Sequence, residues 1–111
     1  MSAFRWIASY FAKGDKATSL YKRGMLKAKK HDHQGAIDDY SLALEVPGLS
    51  PEMMAMIRYN RGLVYVACGM AKKGADDLNE VIAMDGAALN VKSAAQRKLA
   101  RIESRTSRHS A

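Results

Sequence analysis

The chain has 111 residues, 48% of them hydrophobic and 26% charged, a composition that suits one soluble globular domain and excludes a disordered one. Its single cysteine excludes an internal disulfide, and the absence of any run of 18 apolar residues excludes a membrane-spanning helix. The net charge of +7 is uneven: residues 1–35 carry +6, residues 36–86 carry −4 and residues 87–111 carry +5, so two basic ends flank an acidic middle.

In chain order, residues 2–12 read as a helix, with Phe4, Ile7 and Phe11 along one side and Trp6 and Tyr10 beside them. Arg5 and Lys13 interrupt and flank this stretch, against a signal peptide and for a cytoplasmic location. Gly14 ends the helix and Asp15 caps the next, over about 16–30. His31-Asp32-His33 is a polar turn before a helix over about 34–46, which Pro47-Gly48 stops. Ser50 caps, and Pro51 opens, a helix over about 51–68. Cys68 at its end reads as a small buried thiol. A helix over about 71–84 is stopped at Asp85-Gly86, and the last spans about 87–103, with Leu89, Val91, Ala95, Leu99 and Ile102 apolar. From Ser104 onward the tail is polar and basic and is expected to fray.

The chain repeats itself. Ala36-x3-Tyr40-x2-Ala43 places two small residues and a ring on one helix face, and five residues on comes Gly48. The spacing recurs as Ser2, Trp6, Ser9 and Gly14, and as Gly74, Leu78, Val81 and Gly86. Tyr21, Arg23 and Gly24 return as Tyr59, Arg61 and Gly62 at a shift of 38, with about four extra residues near 51–54. A period in this range marks stacked helix pairs. The expected fold is all-α: a right-handed stack of antiparallel helix pairs, about six helices. It forms one domain over 1–103, with repeats about 17–50 and 55–88, flanking helices 2–12 and 87–103, and a flexible basic tail at 104–111.

Gly24, Ala36, Tyr40 and Ala43, then Gly62 and Tyr65 with Gly74, Leu78 and Val81 as weaker matches, resemble the tetratricopeptide repeat. The chain departs from that pattern at Leu20 and Arg58 for the aromatic, Arg23 and Arg61 for the leucine, Lys27 for a tyrosine, and Gly48 and Gly86 for the closing proline. The resemblance implies that the first helix of each pair lines a concave groove. The groove residues would be Tyr21, Met25 and Lys29, then Met56, Tyr59, Asn60 and Leu63, then Arg97 and Arg101 from the last helix. Some members clamp an acidic C-terminal peptide. Asn60 matches one clamp asparagine, but Tyr21 and Met25 stand where basic and amide residues are expected, so that specificity is not.

The sequence offers no catalytic constellation: no Gly-rich phosphate loop, no Cys-x2-Cys and no His-Glu-x2-His. His31, His33 and His109 lack further convincing ligands, so no metal and no cofactor is expected. Asp38-Asp39 and Asp76-Asp77 sit early in second helices, where acids favour the helix dipole and solvent. The expected function is a non-enzymatic scaffold that binds a peptide or helix segment of another protein. The alternative is nucleic-acid or polyanion binding through the basic ends. Phe4, Ile7 and Phe11 would leave an aromatic ridge at the end of the stack, which could pair with its copy in a homodimer.

Overall fold

The structure, a computed structural model, describes the backbone of residues 15–110 and the side chains up to residue 108. The expected helix at 2–12, and with it the ridge of Phe4, Ile7 and Phe11, lies outside the described residues. Five helices follow one another: α1 Lys16–Lys29, α2 His33–Leu44, α3 Pro51–Ala67, α4 Ala71–Ala83 and α5 Leu89–Ser110. The fold is all-α among the described residues. α1 pairs with α2 and α3 with α4; α2 packs on α3, α4 on α5, and α5 also touches α3.

Local chemistry sets the helix starts. The Asp15 carboxylate accepts from the Ala17 N–H at 2.7 Å, and the Ser50 hydroxyl accepts from the Met53 N–H at 3.2 Å. Asp32 caps α2 by accepting from the Gly35 N–H at 3.0 Å, a cap inside what the sequence offered only as a polar turn.

The repeat is visible in the backbone. α1 ends at Lys29 and α3 at Ala67, 38 residues on; α2 starts at His33 and α4 at Ala71, again 38 on. The turns between partners match as well. In the first, Asp32 N–H donates to Lys27 C=O at 2.8 Å and His31 takes φ 64°; in the second, Met70 N–H donates to Tyr65 C=O at 2.8 Å and Gly69 takes φ 89°. Both are left-handed helix endings, natural for glycine and tolerated by histidine. α3 spans 17 residues against 14 for α1, so the additional residues do lengthen it by about a turn.

Two core clusters run through the stack. Leu20, Tyr21, Ala36, Ile37, Tyr40, Ala43, Met53, Met56, Ile57 and Val64 form the first. Ala55, Leu78, Val81, Ala87 and Ala95 form the second. Small residues permit the approach within each pair. A Cβ on Gly24 would lie 2.5 Å from the Tyr40 ring, and one on Gly74 would lie 2.9 Å from the Gly62 carbonyl oxygen. No described helix is long and apolar enough to cross a membrane.

Several expectations are corrected. The last helix does not end at residue 103; it runs to Ser110, because residues 104–110 contain no glycine or proline and Thr106 donates its hydroxyl to the Ile102 carbonyl at 2.9 Å. Cys68 is exposed, because it caps α3 at the turn and lies outside the packed face. The stop expected at Asp85-Gly86 is kept, with α4 ending at Ala83 and a turn at 85–86, and the absence of a side chain on Gly86 lets the loop press on Pro51. Asp39 and Asp77 do not face solvent, as the next section describes.

Candidate binding surface

The features that recur most closely are two buried carboxylates, each clasped by an arginine of the partner helix. Asp39 is 2% exposed; Arg23 donates from Nε and Nη2 to its two oxygens at 3.3 and 3.0 Å, and Lys27 Nζ stands at 3.0 Å. Asp77 is 5% exposed; Arg61 donates from Nε and Nη2 at 2.8 and 2.7 Å. Arg58 lies 3.8 Å from Asp77. The aspartates enter the interior because two-pronged guanidinium bonds replace their hydration. Burial pushes the Asp39 carboxyl up, but the bonds and charges of Lys27 and Arg23 outweigh it and hold it below its ordinary value. The bonds to Asp77 raise Arg61 above the usual guanidinium value, against the opposing effect of burial. Sequence reasoning read Arg23 and Arg61 as departures from a leucine position and the aspartates as surface acids. The missed signal was that each Arg precedes its Asp by sixteen residues in both repeats.

The clasps are scaffold, and the surface beside them is what a partner can reach. Of the groove residues expected from sequence, Tyr21 and Met56 are buried, at 2% and 8% exposure. They are core, and the expectation that they line an open groove is corrected. The cause is a bridge between α1 and α3: the Asn60 side-chain amide donates at 2.8 Å to the Tyr21 hydroxyl and at 2.8 Å to the Met56 carbonyl. With its hydroxyl satisfied, the Tyr21 ring packs 5.8 Å from that of Tyr40 and closes the gap between the two first helices. Burial, reinforced by Tyr40, raises the Tyr21 phenol; burial also pushes Tyr40 up, to about 12.

Met25, Tyr59, Asn60 and Leu63 stay half-buried, and Lys29 is exposed. Met25 leans on the first core cluster and Tyr59 on the second. Met25 and Leu63 occupy equivalent positions one repeat apart, so α1 and α3 each present an apolar side chain at the same height. Arg97 and Arg101 are exposed on α5. They point well away from buried Ala95, about 200° and 240° round the helix from it, and the structure does not join them to the α1–α3 surface. The partial clamp match at Asn60 is also reinterpreted: its amide protons serve the fold. His31 and His33 rings meet edge-on at 6.0 Å, and no group of three His, Cys, Asp or Glu side chains among the described residues is placed to hold a metal ion.

The architecture thus defines an array of two equivalent helix hairpins with a fifth helix on the end. Comparison with protein-family models, curated proteins and solved structures finds no match.

Proposed function

We propose that the chain is a tetratricopeptide-like repeat module with no catalytic role, which holds a short peptide or helix of another protein across its first-helix face. The observation that carries this reading is the repetition itself. Arg23–Asp39 and Arg61–Asp77 recur at a shift of 38, as do the pairs Gly24–Tyr40 and Gly62–Leu78, and each contact ties the two helices of one hairpin. Such hairpins cannot bury their apolar faces alone and stack into arrays whose faces serve as recognition surfaces. The reachable strip is Met25, Tyr59, Asn60 and Leu63 with Lys29 at its margin. Both protons of the Asn60 amide are engaged, which leaves its oxygen as an acceptor for a bound backbone N–H. Adaptable Met and Leu beside a tyrosine suit an amphipathic segment.

Selection of displayed 12-residue peptides on the full chain tests this. Selected peptides should lose at least tenfold in affinity on Leu63→Glu while helix content is kept, and should bind nearly as well at 300 mM as at 50 mM salt. Undiminished binding by Leu63→Glu would sink the proposal.

A further inference from the structure

The peptide-binding proposal leaves α5 without a role, yet α5 gathers four arginines along one face. Arg97, Arg101, Arg105 and Arg108 recur at spacings of four, four and three and are all exposed. They fall within an arc of about 80° and along about 16 Å of helix axis. Arg101, Arg105 and Arg108 line a shallow depression of about 360 Å³ with Ala100 and Ser104. Glu103, the one acid of α5, lies elsewhere: it lines a separate groove against Ala71, Lys72 and Ala75 of α4. Most of the apolar side of the helix is occupied, with Ala95 buried and Val91 and Ile102 packed on the second core cluster, while Leu89 at its start is exposed.

Like charges three and four residues apart on one helix face oppose helix formation. The helix dipole accounts for arginines in the last turn, Arg105 and Arg108, but not for Arg97 and Arg101 in the middle. Every cation of this arc is an arginine, whose planar fork matches phosphate two bonds at a time. α5 has no Phe, Tyr or Trp, so it offers no platform for stacking the bases of a single strand. With its apolar side packed apart from Leu89 at its start, it has no continuous face to insert among lipid tails.

We propose that the arginine face of α5 binds the phosphate backbone of a nucleic-acid duplex, without reading its sequence. The four guanidiniums form an electrostatic footprint of the kind that supplies non-specific binding.

The test is fluorescence anisotropy of the full chain with a labelled 20-base-pair DNA duplex, titrated between 50 and 200 mM KCl. Four phosphate contacts predict a slope of log K against log salt near about −3.6, a loss of roughly a hundredfold over that range. Changing all four arginines to Gln should flatten the slope by about four charges' worth and cut affinity at least tenfold at 100 mM. Changing them all to Lys should keep the slope but lower affinity. Lys16→Gln with Lys30→Gln, exposed lysines at the two ends of α1, should leave both unchanged. Gln favours helix, and circular dichroism of the variants checks that α5 is retained. Four outcomes each overturn the proposal: a slope unchanged by the Gln variant; a stronger complex with the separated single strand; equal binding to polyglutamate of the same charge; or binding to anionic vesicles but not to the duplex.

Discussion

The two hairpins are built to one plan and held with different strength. In the first, Arg23 reaches Asp39 from the surface, its side chain 61% exposed, and shares the carboxylate with Lys27. In the second, Arg61 is only 19% exposed and has two tasks besides the clasp. It donates to Ser41 of the preceding hairpin at 3.0 Å, stands 5.6 Å over the Tyr65 ring, and bonds both oxygens of Asp77. The difference follows from position in the array. A clasp between two hairpins is sandwiched and can serve both, whereas the equivalent of Ser41 one repeat earlier, residue 3, lies outside the described residues. The first hairpin compensates with bulk: Tyr40 fills what Leu78 fills in the second, and Gly24 faces a ring where Gly62 faces Gly74.

The largest expected effect breaks that compensation. Tyr40→Ala should cost about 3–5 kcal/mol, as for other buried aromatics, read by urea denaturation. Leu78→Ala should cost somewhat less, about 2–4 kcal/mol, because less volume is lost. Next comes the clasp. Arg61→Ala strands Asp77 with only the distant Arg58 and should cost about 3 kcal/mol, while Arg23→Ala leaves Lys27 in place and removes a mostly exposed group, for about 0.5 kcal/mol. Ala36→Leu should cost about 1–3 kcal/mol by overpacking a fully buried position. The smallest effect sharpens the comparison of turns. His31→Gly gives the first turn the residue of the second and should raise stability by roughly 0.5 kcal/mol, since a left-handed histidine is strained while glycine adds chain entropy.

The same groups set the pH limits. Asp39 is depressed in the fold, so its contribution is present above its ordinary value of 3.8 and is lost as pH falls through its lower folded value. Tyr21 and Tyr40 are raised, so theirs is complete below 10 and is lost as pH rises toward and past 12. Melting temperature against pH should therefore fall at both extremes, and Asp39→Asn should remove part of the acid limb.

Much of the backbone was readable beforehand, because caps and breakers are local. Asp15 and Ser50-Pro51 mark boundaries that the structure keeps within a residue or two. The shift of 38 needed only the recurrence of Tyr, Arg and Gly. What could not be read was which side of a helix its neighbour covers. Tyr21 and Met56 look like groove residues until Asn60 closes the space above them, a contact between residues 39 apart. Asp39 looks like a surface acid until an arginine from another helix arrives to replace its water. Cys68 lies at the end of an apolar run, and burial there depends on where the packed face stops.

The account rests on the clasps being one device used twice, with the inner copy carrying more of the fold. Double-mutant cycles on Arg23–Asp39 and Arg61–Asp77, measured by urea denaturation at pH 7, test it directly. The predicted coupling is about 2–3 kcal/mol at Arg61–Asp77 and about 1 kcal/mol or less at Arg23–Asp39. Negligible coupling at Arg61–Asp77, or a stronger coupling at the outer pair, would contradict it.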